Sequence, residues 1–188
     1  MKKNIGPTLA LYPTPAVVVG AFVNDRLNWI LVAHIGIMGH DRVVVSMHKA
    51  HHTNKGIEAS GKLSINIVDK TMLEAADYVG TVSGARTDKS NVFEYTMGSA
   101  GTPVISASPL VMECEVVDNY QTEGFDNFIC KIVNTWAEEE ILDADGKIDY
   151  DVLKPVLFEM PTYHYLLCGE RLGKCTSYGK KLKEKQTQ

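Results

Sequence analysis

The chain has 188 residues, 45% of them hydrophobic and 22% charged, with a formal net charge of −4. That length and apolar content are enough for residues 1–188 to form one domain whose core needs neither disulfides nor a structural metal. The acidic balance argues against the broad basic face of a nucleic-acid binder, and the longest apolar run, residues 16–23, is too short to span a bilayer.

Met1-Lys2-Lys3-Asn4 leads into no apolar signal region, and Pro7, Pro13 and Pro15 interrupt the segment after it, so the expected location is the cytoplasm. Residues 16–23 are rich in branched side chains and end at a turn, Asn24-Asp25-Arg26. Residues 28–37 resume the apolar run, so the two segments read as a hairpin. Residues 42–48 read as a third strand. Residues 53–60 read as a short helix that Gly61-Lys62 stops, and residues 63–68 as another strand. Met72, Leu73, Ala76 and Val79 share one face of a helix expected over 69–79, with Thr71 and Glu74 spaced as a capping box. A further short helix is expected over 87–94.

The second half is strand-like. Leu110, Met112, Cys114 and Val116 alternate with their neighbours, as do Phe128, Cys130 and Ile132, which is the period of half-buried antiparallel strands. Gln121-Thr122-Glu123-Gly124 reads as their connection. After the Asp145-Gly146 turn we expect a short helix over 152–158 and a last strand over 163–167. The basic tail, 179–188, reads as a solvated terminus rather than a docking patch. Strands dominate and pair locally, which points to a mainly β protein: a small antiparallel barrel with short peripheral helices. No Gly-x-Gly-x-x-Gly follows a strand, so the usual dinucleotide fold is not supported.

Three stretches bear on chemistry. His48, His51 and His52 crowd the end of the third strand, and Thr53 stands where the next helix should begin. They can be read as a metal site, as polar residues at a strand end, or as an anion site. The metal reading lacks further ligands. The anion reading uses the hydroxyl, the unpaired first amides of the helix and the imidazoles together. The second stretch, residues 78–90, crowds glycines and hydroxyls with Arg86 and Lys89. It can be an ordinary connection or the other half of a phosphate site. Asp143-Ala144-Asp145-Gly146 starts like a calcium loop but has Lys154 at the twelfth position, so it reads as a turn. The four cysteines form no Cys-x-x-Cys pair, and Cys114 and Cys130 read as reduced core residues. No nucleophilic triad is recognisable.

The order of these pieces is informative. Tyr12-Pro13-Thr14-Pro15, the strand from Asn28 to His34, Ser46 with Thr53-Asn54-Lys55-Gly56, Leu63-Ser64-Ile65-Asn66, Ser83-Gly84 with Asp88-Lys89, and Tyr165 to Gly169 follow in sequence. Over about residues 12–180 this resembles the flavin reductase-like family of FMN-binding split barrels, the flavoredoxin type in particular. The resemblance implies a Greek-key split barrel that forms a homodimer and holds FMN noncovalently near the dimer interface. It implies electron transfer between NADH or NADPH and flavin, or from flavin to an acceptor. The alternative is a non-enzymatic FMN-binding electron-transfer module supplied by a protein donor.

It also implies binding residues. Asn28, Trp29, Ile30, Leu31, Val32 and Ala33 would run along the flavin ring. Ser46, Met47, His48, His52, Thr53 and Asn54 would meet the ribityl chain and phosphate, and Ser83 and Lys89 would complete the phosphate site. The chain departs from the family at His51, where arginine is common, and at Gly39-His40-Asp41, where proline is common. Trp29 is large for its strand, and can either stack near the flavin or face the core or the dimer partner. Flavin supplies the difficult chemistry itself, so no catalytic side chain is expected.

Overall fold

The structure is a computed structural model that describes residues 1–175, 177–180 and 182; the basic-tail expectation therefore lies largely outside the described residues. The described residues form twelve strands: β1 (Thr14–Pro15), β2 (Val17–Val23), β3 (Arg26–Val32), β4 (Ile35–Ile37), β5 (Arg42–His48), β6 (Lys62–Ile67), β7 (Tyr95–Met97), β8 (Pro103–Ile105), β9 (Leu110–Gln121), β10 (Phe125–Ala137), β11 (Val156–Glu159) and β12 (His164–Leu167). The helices are α1 (His52–Ser60), α2 (Leu73–Thr81) and α3 (Tyr150–Leu153). Seven strands form one antiparallel sheet in the order β3-β2-β6-β9-β10-β5-β4, curled into a split barrel. The strands β1, β11 and β12 make a second, small sheet.

Period-two alternation sorts the side chains into two apolar clusters. From β2, Val17, Val19 and Ala21 enter the barrel interior with Ile30, Val45, Ile65 and Phe128. Val18 points the other way, into a cluster with Leu27, Trp29, Met72, Ala76 and Phe93, where α2 covers the sheet. Both faces of this part of the sheet are therefore buried. Trp29 lies opposite Gly20 in the hairpin register, and a Cβ at Gly20 would collide with the indole ring. The glycine makes room for the tryptophan.

Buried polar groups are placed with equal care. Asn66 donates to the Val18 carbonyl at 3.0 Å and accepts from the Ile105 amide at 2.9 Å, stitching β8 onto the back of the sheet. Glu113 is fully buried, and its carboxylate accepts from Ala100 N, Thr102 Oγ1, Asn134 Nδ2 and Trp136 Nε1. Burial alone would raise its pKa, but those four donors outweigh it and hold the carboxyl below its ordinary value. Cys114 and Cys130 lie in the barrel core as expected; burial pushes both thiols up, Cys130 to about 12, so they stay protonated.

Several expected elements differ. The run over 28–37 breaks into β3 and β4 at Ala33-His34. The helix α2 starts at Leu73 without a Thr71–Glu74 box: Met72 is its N-cap with no side-chain cap, and in the turn before it Asp69 Oδ1 accepts from the Thr71 and Met72 amides at 2.9 and 3.0 Å. No helix forms over 87–94, where Asp88 instead accepts from the amide of Ser90. The helix expected over 152–158 stops at Leu153: Lys154 turns to φ 43°, and Pro155, unable to donate to a helix, precedes β11. The Asp143–Gly146 turn forms as expected, with the Gly146 amide donating to the Asp143 carbonyl at 2.9 Å.

Candidate functional site

A cavity of about 530 Å³ opens beside the end of β3. Leu31, Val32 and Ala33 make one wall, and Ser46, Met47 and His48 of β5 another. The C-terminal turn of α2 brings Asp77, Gly80 and Thr81 to the rim. The β11–β12 hairpin overhangs it with Phe158, Tyr163 and Tyr165. The hairpin is tied to α2 by the Tyr165 hydroxyl, which donates to Asp77 Oδ1 at 2.5 Å. Burial, with the bond to Asp77, raises the pKa of that phenol.

The cavity has one imidazole-rich end. His48 and His51 stand edge-on with ring centroids 6.1 Å apart. Burial, His48 and Lys89 together push the pKa of His51 down. Behind it, Lys89 is buried, and its Nζ donates to the carbonyls of Val79 and Val82 at 2.9 and 3.1 Å, at the last turn of α2. Those carbonyls lack helical partners, so an ammonium suits them. Burial nevertheless depresses the amine to about 8. Lysine carries three N–H donors, and two are committed here.

The two segments singled out in the sequence do meet. His52, Asn28, Gly84, Thr87 and Lys89 line one small recess. Asn28 Nδ2 donates to Thr53 Oγ1 at 2.6 Å, joining β3 to α1. A Cβ at Gly84 would strike Asn28 Oδ1, so the 83–90 loop closes directly over β3. Arg26 pairs with Asp88 and keeps that carboxyl low.

The individual residues divide into three sets. Leu31, Val32, Ala33, Ser46, Met47 and His48 line the cavity, whereas Asn28, His52 and Lys89 line the recess. Trp29, Ile30, Thr53, Asn54 and Ser83 line neither. Trp29 packs edge-on against Phe93 and Tyr95, at 5.7 and 6.0 Å, in the core beneath α2, and Ile30 is inside the barrel. The expectation that the helix begins at Thr53 with its hydroxyl free for an anion is corrected: α1 starts at His52, His51 is its N-cap without a side-chain cap, and the Thr53 hydroxyl accepts from Asn28. Asn54 donates to the His48 carbonyl and to Asp126, leaving its buried Oδ1 without a partner among the described residues. The Ser83 carbonyl accepts the Arg86 and Thr87 amides, forming the turn.

The strand from Asn28 to His34, which the resemblance put beside the ring, does reach the cavity through Leu31 to His34, but sequence reasoning did not place Asp77, Phe125 or the β11–β12 aromatics there. The C-terminal aromatics reach the cavity only through folding. Among the described residues, no three His, Cys, Asp or Glu side chains are grouped to hold a metal ion.

A curled seven-stranded barrel with short helices and a cavity at its open side defines the split-barrel class. Residues 9–165 match the family model described as a flavin reductase like domain, so the chain belongs to the flavin reductase-like family and has a flavin-related redox function. It is similar to flavoredoxin from Methanosarcina acetivorans (30% identity, TM-score 0.91, covering 97% of this chain and 99% of that one). It is also similar to flavoredoxin of Desulfovibrio vulgaris (Miyazaki F), at 30% identity and TM-score 0.88, covering 96% of this chain and 100% of that one. An FMN-binding protein from Thermus thermophilus shares the fold, with 20% identity and TM-score 0.76 over 93% of this chain and 98% of that one. A comparison with curated proteins found no match.

Proposed function

We propose that the chain is an FMN-binding oxidoreductase of flavin reductase type, passing electrons between NADH or NADPH and flavin, or from flavin to an acceptor. The observation that carries this reading is the polarity of the cavity. Leu31, Val32, Ala33, Met47, Phe125 and Phe158 make its lining largely apolar, and it ends at His48 and His51, with the amine of Lys89 close behind. That arrangement fits a flat ring with an anionic tail. Leu31, Val32 and Ala33 would flank the ring, Ser46 and His48 the ribityl chain, and His51, His52 and Lys89 the phosphate. The remaining donor of Lys89 suits a phosphate oxygen.

Bound flavin supplies hydride and single-electron chemistry. The protein binds and orients it and keeps its charge balanced. In this reading the chain acts in the cytoplasm as a homodimer, and the exposed Ile37 and Met38 offer apolar surface for a second subunit.

An absorption spectrum of the freshly purified protein, followed by identification of the released flavin and an assay of NADH and NADPH oxidation, tests the proposal. Protein that neither carries nor takes up FMN would refute it. The name flavoredoxin on the two relatives at 30% identity favours a second reading, an electron-transfer module fed by a protein donor. FMN binding without nicotinamide oxidation, but with reduction by a ferredoxin-type donor, would select it.

A further inference from the structure

A second cavity, of about 390 Å³, lies behind the first. Ala33, His34, Ser46 and Phe125 line both, so they form the partition between the two. Exposed Leu9, Leu11 and Thr122 edge the second cavity and open it to solvent.

Tyr12 lines only this outer cavity, and its hydroxyl shares a hydrogen bond of 2.9 Å with His34 Nε2. The His34 ring sits between Tyr12 and Phe125, with centroids 6.4 and 5.7 Å away. Its backbone is fixed, because the His34 carbonyl accepts the Ser46 amide at 2.9 Å. Thr14 Oγ1 donates to the Ala33 carbonyl at 2.7 Å, pinning the Tyr12 segment against the same wall. Among the described residues, Nδ1 of His34 has no hydrogen-bond partner.

A contact that merely packed the N-terminal segment would need no polar atoms. Here a hydroxyl and an imidazole, both able to donate and to accept a proton, bridge a solvent-open cavity and the first cavity.

We propose that His34 and Tyr12 form a proton path from solvent to an acceptor in the flavin cavity, with His34 as the proton donor and Tyr12 as the residue that positions and resupplies it. The inference rests on the flavin reading of the first cavity. The acceptor class is a small quinone-like oxo compound, whose two-electron reduction needs protons. The quinone takes two electrons and one hydrogen nucleus from reduced flavin. One of its oxygens forms an O–H bond as the Nδ1–H bond of His34 breaks. Nε2 takes the Tyr12 proton, and the Tyr12 oxygen takes one from water. Between cycles Nε2 gives its proton back to solvent and Nδ1 gains one, which restores the first tautomer with no net proton change. Each turnover therefore consumes one hydride equivalent from the flavin and one proton from solvent.

The test uses the FMN-loaded protein, reduced anaerobically with dithionite and mixed with tetramethylbenzoquinone or with ferricyanide, which takes one electron and no proton. The quinone-to-ferricyanide rate ratio should fall about tenfold or more in His34→Gln and at least about threefold in Tyr12→Phe. In the flavin-free protein, Tyr12→Phe should also change the nitrogen NMR signals of the His34 ring, a readout independent of turnover. An unchanged ratio in either variant, or an unchanged His34 spectrum in Tyr12→Phe, would overturn the path. Failure of the wild-type protein to take up FMN would remove the flavin reading and this inference with it, an outcome distinct from loss of the ratio effect alone.

Discussion

Asn28 Nδ2 donates to Thr53 Oγ1 at 2.6 Å, with both side chains buried. This one bond ties β3 to the first turn of α1. Asn28 also receives the 83–90 loop at Gly84, so it is the point where the three segments that line the recess meet. Asn28→Ala leaves a buried hydroxyl without its partner. We expect a loss of about 1–3 kcal/mol in unfolding free energy, measured by urea titration. A change within about 0.5 kcal/mol, the range of an ordinary surface substitution, would show that the bond contributes nothing to stability.

Lys89→Ala should weaken FMN binding by about 1–3 kcal/mol, the range for losing a charge-assisted contact. Riboflavin, which has no phosphate, should bind the variant and the wild type alike. Isothermal titration with both ligands makes the comparison. Equal losses for the two would place the phosphate elsewhere.

Binding should also depend on pH. The Lys89 amine is depressed to about 8, so its charge is lost as pH rises through that value in the flavin-free protein. Burial, His48 and Lys89 lower the pKa of His51, so its imidazole becomes cationic only on the acid side of its ordinary range. A phosphate favours the charged form of both groups. FMN affinity should therefore fall as pH rises above about 8 and strengthen on the acid side, and the effect should be absent with riboflavin. The stability of the flavin-free protein should move the other way. Between about 8 and the ordinary 10.5 the unfolded chain holds this proton more tightly than the folded one, so the Lys89 contribution to stability rises with pH. A flat FMN affinity from pH 6 to 9 would argue against both groups.

Trp29→Ala should cost about 3–5 kcal/mol, because it empties a site packed by Phe93, Tyr95 and the backbone of Gly20. Trp29→Phe should cost less, since it keeps most of the volume and removes an indole N–H that has no acceptor among the described residues. Thermal unfolding of both variants checks the order. If Trp29→Ala left stability intact but abolished flavin binding, the tryptophan would belong to the site and not to the core.

Glu113→Gln should lower stability by about 1–3 kcal/mol, because an amide nitrogen then faces donors that a carboxylate accepted. The folded carboxyl sits below its ordinary 4.5, so its contribution is present above that value and lost as pH falls through the folded pKa. The variant should accordingly show a shallower acid-unfolding curve below about pH 4.5. Identical acid limbs would contradict the linkage.

The barrel was legible because its strands leave local marks. The runs in β9 and β10 alternate, β2 is a continuous branched run buried on both faces, and their hairpins are local. Where a local signal competed with another, the reading failed. Thr71 and Glu74 had capping-box spacing, yet Asp69 lay close enough to take the amides first. Pro155 ended the helix expected over 152–158, although the apolar spacing continued past it.

The site divides in the same way. The order of the motifs, through the family it resembles, picked out segments that fold around one cavity and one recess, and their hydroxyls and cations are visible without coordinates. Only the folded chain decided what each side chain does. Trp29 and Leu31 lie on one face of β3, yet the first is enclosed beneath α2 and the second reaches the cavity. Lys89 looked like a loop cation and is buried against the end of a helix. His34 and Tyr12 are 22 positions apart and touch only because the split barrel brings their segments to one wall. The physical reason is that composition and period are local properties, whereas burial and proximity are set by contacts between residues distant in the chain.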